Sequence, residues 1–296
     1  MFQKNKWKDS EKAIVVADFH SGANDSIKRG CYINESHKES SIPIGMSELH
    51  HYMDNKWKTV EKEHFDADYV LMLGDMIEGE DYPDDGIGCW TTDLDVQALN
   101  AAELFYAFED AAVYGVQGSG FHSHRNPSLD KRVIDILGGH YQPKEYELPI
   151  GGVTFHMRHF AGYTRNKKTR ASGLGEDLLR SDIDSDVYGN IDVFLRAHCH
   201  YMCGLLWPNP MRLAVICPGY KGRDAFVAHR SMDVPDCGHL IFEIVDGQYK
   251  WTSDVWRLPK SMLLPLAPKP NWDLVKNRKE RIDIMRNKYS NEERNH

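Results

Sequence analysis

Three features of the sequence predict an α/β fold. Short apolar runs rich in β-branched residues (AIVVA at 13–17, YVLML at 69–73) alternate with amphipathic stretches in the first half, and after residue 145 the pattern turns to β. Two strand–helix units in series imply a parallel or mixed sheet with helices packed on it. The chain's 296 residues, 41% hydrophobic and 27% charged, exclude a mainly disordered or collagen-like protein and allow one large domain or two small ones.

The elements follow in order. AIVVA between Lys12 and Asp18 reads as a buried strand ending abruptly at Asp18, Phe19, His20, Ser21, Gly22. Residues 21–46 are polar and rich in Ser, Gly and Asn, which predicts a long loop. Over 47–64, Ser47 is a good N-cap and Leu49, Met53, Trp57 and Val60 share one helical face. A second buried strand, 68–74, ends in Asp75, and the acidic stretch after it (Glu78, Glu80, Asp81, Asp84, Asp85) reads as a solvated surface. A helix is predicted over 96–114, a short strand from Gly115 into the turn Gly118-Ser119-Gly120, and a helix over 128–138 burying Val133, Ile134 and Leu137. Strand-like segments then follow (YELPI, GVTFHMRHF, DVFLRAH, MCGLLW, RLAVIC, GHLIFEIV, QYKWTSDVW), with one helical insertion at about 173–188. Pro259, Pro265, Pro268 and Pro270 mark a linker before a charged helix at 273–290.

The net charge of −8 argues against coating nucleic acid by bulk electrostatics, while leaving room for a local basic groove. The start of the chain has no apolar stretch fit for a signal peptide, and the apolar runs are far too short for a membrane span. The six cysteines (Cys31, Cys89, Cys199, Cys203, Cys217, Cys237) are scattered, which predicts free thiols in a reducing cytoplasm. Cys199 and Cys203 beside His198 and His200 leave a Cys/His zinc site as a minor alternative.

The chemistry-bearing residues sit at strand ends. Asp18 and His20 are two apart, which in extended backbone puts a carboxylate and an imidazole on one side. His198 and His200 repeat that spacing, and Asp75 lies just past Gly74, whose missing side chain would let a ligand approach closely. Side chains delivered from the carboxyl ends of adjacent strands meet where open α/β sheets place their sites. A mixed carboxylate and imidazole set suits Mn²⁺, Fe or Zn²⁺ better than Ca²⁺ or Mg²⁺.

This order of motifs resembles the calcineurin-like metallophosphoesterase family, over about residues 13–225. That family carries D-x-H, G-D, G-N-H-D/E, a later His and G-H-x-H. This chain has Asp18-Phe19-His20, Gly74-Asp75, Gly118-Ser119-Gly120-Phe121-His122, His159 and Ala197-His198-Cys199-His200. The resemblance implies a two-sheet α/β metallophosphoesterase sandwich flanked by helices, spanning 1–258, with a C-terminal extension over 259–296. It implies two divalent metal ions, manganese first, with Fe, Zn or Ni as alternatives. Asp18, His20 and His200 would bind the first, His159 and His198 the second, and Asp75 would bridge them. Ser119 stands where the family's metal-binding Asn is expected, and a hydroxyl is a poorer ligand than an amide oxygen. A Ser or Thr here with a displaced His is similar to bacteriophage-type members, so the expected location is the cytoplasm, or the host cytoplasm for a phage-encoded chain.

The implied reaction is two-metal phosphoester hydrolysis. His122 would stabilise the transition state or protonate the leaving oxygen, with His124 as its competitor and Arg125 as a phosphate contact. His156 rivals His159, but a three-residue offset puts it on the other face of a strand. Arg158 and Arg165, in a basic run with Lys167, Lys168 and Arg170, would hold a phosphodiester backbone; an ordinary exposed loop is the plain alternative. Phe19, Phe121, Phe160, Tyr163 and Tyr201 would stack on a base or pack the core. The expected activity is a metal-dependent phosphodiesterase, with a nuclease acting on DNA in view. Alternatives are a phosphomonoesterase or small-nucleotide phosphodiesterase, or a non-catalytic metal-bound scaffold. The expected partner is the phosphoester itself, DNA or a nucleotide, with no membrane and the oligomeric state open.

Overall fold

A computed structural model of the chain describes residues 6–29, 31–33, 41–43, 46–80, 86, 88–120, 129–161, 169–188, 190–208, 211–223 and 234–263. The chain divides into two compact units, Met1–Pro259 and Lys260–His296; of the second, the described part is a helical turn, Lys260–Leu263. The expected terminal helix at 273–290 lies outside the described residues.

The described part of the first unit holds two large sheets and one two-stranded sheet. The six-stranded sheet runs β13 (Gln248–Trp256), β12 (Cys237–Val245), β1 (Glu11–Val16), β4 (Tyr69–Met72), β5 (Ala112–Val116), β6 (His140–Gln142). Strands β1, β4, β5 and β6 are parallel, and the hairpin β12–β13 pairs antiparallel on the β1 side. The five-stranded sheet runs β10 (Cys203–Pro208), β11 (Met211–Ile216), β9 (Val193–Ala197), β8 (Val153–Phe160), β7 (Glu145–Ile150), with β11, β9 and β8 parallel and both edges antiparallel.

The core between the sheets follows from alternation. Ala13, Val15 and Ala17 of β1 and its end meet Leu71, Leu73, Phe155, Met157, Leu195, Val215, Leu240 and Phe242, all buried. The other face of the six-stranded sheet is covered by α1 (Glu48–His64), α2 (Leu94–Glu103) and α3 (Leu129–Ile136), which carry Met53, Trp57, Val60, Ala98, Val133 and Ile134 inward. The other face of the five-stranded sheet packs Phe194, Ala214 and Ile216 against Leu174 and Leu178 of α4 (Ser172–Ile183); the short α5 (Ser185–Tyr188) follows. No described helix is long and apolar enough to cross a membrane.

Several expectations are corrected. The stretch 21–46 is not all loop: β2 (Cys31–Ile33) and β3 (Ser41–Pro43) pair antiparallel, three residues each, too short to leave a periodic signal. The helix expected over 96–114 ends at Glu103, and β5 begins at Ala112. The chain turns there because Leu104, Phe105 and Phe108 are drawn inward, with Phe105 and Phe108 packing on Trp57. Val113 then pairs with Val70 in the sheet, so tertiary pairing overrides a run of helix-favouring residues. Strand β6 had no sequence signal. Leu137 lies beyond the end of α3 and is half-buried.

Candidate metal centre

The loops that follow β1, β4 and β9 and the end of β8 meet at one edge of the two sheets. The loops after β1 and β4 are tied side by side: Asp18 N–H donates to the Gly74 carbonyl (3.1 Å) and His20 N–H to the Asp75 carbonyl (2.9 Å). Phe19, fully buried, anchors its loop among Trp57, Phe105 and Tyr220, with ring centroids 4.6 to 5.2 Å away. With Phe19 packed into the core, Asp18 and His20 are turned to the opposite side.

The backbone at these positions differs from the extended form assumed from spacing. Asp18 (φ 52°), His20 (46°), Asp75 (52°), His198 (75°) and His200 (49°) all lie in the left-handed region; Asp246 is the other non-glycine residue there among those described. Asp and His tolerate this region better than most residues, and such conformations persist where surrounding structure holds them, often at functional sites. The same-side projection of each pair therefore comes from two successive reversals past the strand ends, not from strand alternation.

Glycine has a different role here from the one expected. A side chain at Gly74 (φ 91°) would strike the Gly118 backbone, its Cβ falling 2.4 Å from the Gly118 nitrogen. One at Gly118 would strike Asp75, 2.0 Å from Oδ1. The two glycines make room for each other's loops rather than for a ligand.

Six predicted residues form two groups: Asp18, His20 and His200, and Asp75, His159 and His198, the potential ligand atoms of each lying within 4.8 Å of one another. In the first, His20 Nε2 and His200 Nε2 are 3.2 Å apart, and Asp18 Oδ1 is 3.8 and 3.5 Å from them. In the second, His159 Nε2 is 3.1 Å from Asp75 Oδ2 and 3.3 Å from His198 Nδ1. Neighbouring ligands around one first-row cation, with bonds of about 2.0–2.2 Å, stand roughly 3.0–3.5 Å apart, which matches these separations apart from the Asp18–His20 pair at 3.8 Å. Asp18 Oδ1 is buried with no hydrogen-bond partner, a cost that a cation would remove. Neither group includes Cys199 or Cys203, so the described residues offer no Cys/His zinc site.

The electrostatics run the same way. Burial pushes Asp18 up, but the imidazoles of His200, His20 and His159 outweigh it and hold the carboxyl well below its ordinary range. Burial would lower His159, yet the Asp75 carboxylate, with Asp18 and the Leu73 carbonyl, lifts it to about 10. Burial and Lys221 oppose a proton on His20, but Glu78 and Asp18 raise it to about 9. Burial and the neighbouring His159 push His198 down. The carboxylates of the site thus favour positive charge on His20 and His159, while His198 is disfavoured as a cation.

The remaining predicted residues fall as follows. The Ser119 backbone N–H donates to Asp75 Oδ1 at 2.7 Å, beside the second group. His122, His124, Arg125, Arg165, Phe121 and Tyr163 lie outside the described residues. Arg158 points to the opposite face of β8 from His159, its guanidinium on Asp177 (2.9 Å), away from both groups. His156 shares that face, as its offset required. Phe160 is half exposed, with its ring 5.2 Å from His198, and Tyr201 is buried under Arg170.

Two residues were missed. Glu78, expected on a solvated loop, is 7% exposed and accepts from His20 Nδ1 at 2.7 Å; charge alone made it look like surface. Asp130 of α3 accepts from the Met76 and Gly118 amides (2.8 and 2.7 Å), clamping the Asp75 loop to the glycine turn. Burial, then the nearby Asp75 charge, push it up to about 6. Its only sequence signal was an acid in a helical first turn, which suits any surface helix.

A comparison with family models found no match, and neither did one with curated proteins. Among solved structures, the chain is similar to a metallophosphoesterase from Sphaerobacter thermophilus (11% identity, 85% of this chain and 97% of that one, TM-score 0.40). It is similar to an archaeal phosphodiesterase (11%, 82% and 99%, TM-score 0.43). It is also similar to vacuolar protein sorting 29 from Cryptosporidium parvum (13%, 84% and 99%, TM-score 0.37).

Proposed function

We propose that the chain is a metal-dependent phosphoesterase of the calcineurin-like kind that cleaves phosphodiesters. The observation that carries this reading is the pair of ligand groups, Asp18/His20/His200 and Asp75/His159/His198, at adjacent strand ends. Asp18, His20 and His200 would hold one divalent cation, His159 and His198 the other, with Asp75 reaching both. When bound, the cations supply Lewis acidity toward phosphate oxygens and make water acidic enough to act as a nucleophile near neutral pH.

The chain's own residues set the conditions. Asp75 is oriented by the Ser119 amide, and His159 Nδ1 donates to the Leu73 carbonyl at 2.7 Å, leaving Nε2 as its ligand atom. His122 is the proposed acid for the leaving oxygen, and Arg125 and Arg165 the proposed phosphate contacts. Arg158 is best kept out of that set, because Asp177 already holds it on the other side of β8.

The test is hydrolysis of bis-p-nitrophenyl phosphate against p-nitrophenyl phosphate with Mn²⁺, and of single-stranded DNA. The diester should be preferred, and Asp75→Asn should lower turnover by at least ~10³-fold, the scale of an interaction central to the transition state. Two bound cations with no hydrolysis of any of these would make the protein a metal-bound scaffold instead. Near-normal turnover in Asp75→Asn would show the site to be misassigned.

A further inference from the structure

Behind His20 lie two buried charged side chains that the proposed chemistry leaves unused. Glu78 Oε2 accepts from His20 Nδ1 at 2.7 Å, and Lys221 Nζ donates to both Glu78 oxygens at 2.9 and 3.0 Å. Lys221 is 4% exposed, a rare state for a lysine unless it is paired.

The three residues come from three separate loops, after β1, β4 and β11. Each loop is fastened by its backbone: Glu78 N–H donates to the Ser21 carbonyl (2.9 Å), Ile27 N–H to the Tyr220 carbonyl (3.0 Å), and Lys221 bridges to Ser26. An imidazole whose Nδ1–H is given to a carboxylate keeps Nε2 for another partner. Here that nitrogen faces His200 Nε2 and Asp18 Oδ1. A two-point contact from the ammonium fixes the plane of the Glu78 carboxylate, and hence the imidazole it holds.

We propose that Glu78 and Lys221 are positioning residues: Glu78 fixes His20 with Nε2 as the ligand atom of the Asp18/His20/His200 site, and Lys221 aims Glu78. This rests on the metal-dependent reading above. A plain structural ion pair would support the fold without distinguishing one group from the other, whereas a positioning pair acts on the first group alone.

Mn²⁺ titration of the full chain by calorimetry separates these cases. Wild type should bind two equivalents. Glu78→Gln should weaken the first site by about 10–100-fold and leave the second within about threefold. Glu78→Gln/Lys221→Met removes both charges, so it strands none in the interior and should fold if the single variant does not. It should show the same selective loss. In Zn²⁺-loaded wild type, the His20 Nδ1–H should give a slowly exchanging proton resonance, absent from both variants. Unchanged affinity at both sites in a folded variant overturns the proposal, as does equal weakening of both, which would mark a structural pair. Wild type that binds no cation would instead sink the phosphoesterase reading, and this inference with it.

Discussion

His156 and His159 stand three residues apart on one strand, both nearly inaccessible to water, at 2% and 3% exposure. Their imidazoles are driven in opposite directions. Burial, then the guanidinium groups of Arg196 and Arg158, push His156 down to about 3. Glu145, 3.4 Å from its Nε2, is half exposed and too well solvated to reverse this. His159, on the inner face, is lifted to about 10 against its burial by Asp75 and Asp18. Burial disfavours charge on both, so what separates them is the sign of the neighbouring charges. The outer face has paired its charges within the protein: Asp177 accepts from Arg196 (2.8 Å) and Arg158 (2.9 Å). The inner face sets Asp18 and Asp75 among four imidazoles, with Lys221 held on Glu78 behind His20. The outer set is an internal ion-pair network, and the inner set is the candidate cation site.

The largest expected effect breaks the outer set. Asp177→Ala would leave Arg196, 1% exposed, without its carboxylate. Removing one partner of a buried pair costs about 3–5 kcal/mol, visible as a lower denaturant midpoint. Mn²⁺ stoichiometry should stay at two in the folded fraction. On the inner face His159→Gln should abolish the second cation and leave the first bound. If Asp177→Ala cost metal binding in the folded fraction, or His159→Gln still bound two cations, the division of labour between the faces would be wrong.

That division was only partly legible in the sequence. The strands carrying the site announced themselves through AIVVA and YVLML, and six of the seven ligand candidates, all but Ser119, through their order at strand ends. Periodicity also gave the opposite faces of His156 and His159, since an odd offset changes side in a strand. What failed were features set by distant partners. Glu78 looked solvated because its lysine lies 143 positions away, and Asp130 looked like any helix-surface acid. The left-handed backbone at Asp18, His20, Asp75, His198 and His200 has no periodic signature; a spacing of two predicts the same-side result for the wrong reason. The early end of α2 was hidden because YAFEDAAVY suits a helix until β4 offers it a partner strand.

A cation should sharpen the contrast by stabilising the protein through the inner face alone. Ligand that binds only the folded state adds RT ln(1 + [L]/Kd), about 2.7 kcal/mol at a hundredfold excess over Kd for one site. Thermal melts against Mn²⁺ should therefore rise in wild type, rise less in His159→Gln, and rise as in wild type in His156→Phe. A concentration-dependent rise of wild-type size in His159→Gln would mean that the cation binds elsewhere.

The smallest expected effect lies in the pH dependence of the outer face. The folded-state value of His156 is depressed to about 3, against about 6.5 when unfolded, so below pH 6.5 the unfolded chain takes up a proton that the folded one refuses. Its stability contribution is complete above 6.5 and falls away toward 3, about 2 kcal/mol being lost by pH 5. His159 in the cation-free protein works the other way, because its value is raised: its contribution is present below 6.5 and fades as pH climbs through about 10. His156→Phe should therefore reduce the stability lost between pH 7 and pH 5 by about 2 kcal/mol, read from urea midpoints at the two pH values. His239, fully buried and also pushed down to about 3 by its burial and then by His64, supplies a control. His156→Phe leaves it in place, so the variant should still lose stability on acidification, with a shallower slope. An unchanged slope would mean that His156 is charged in the folded state and that the arginines beside it do not set its field.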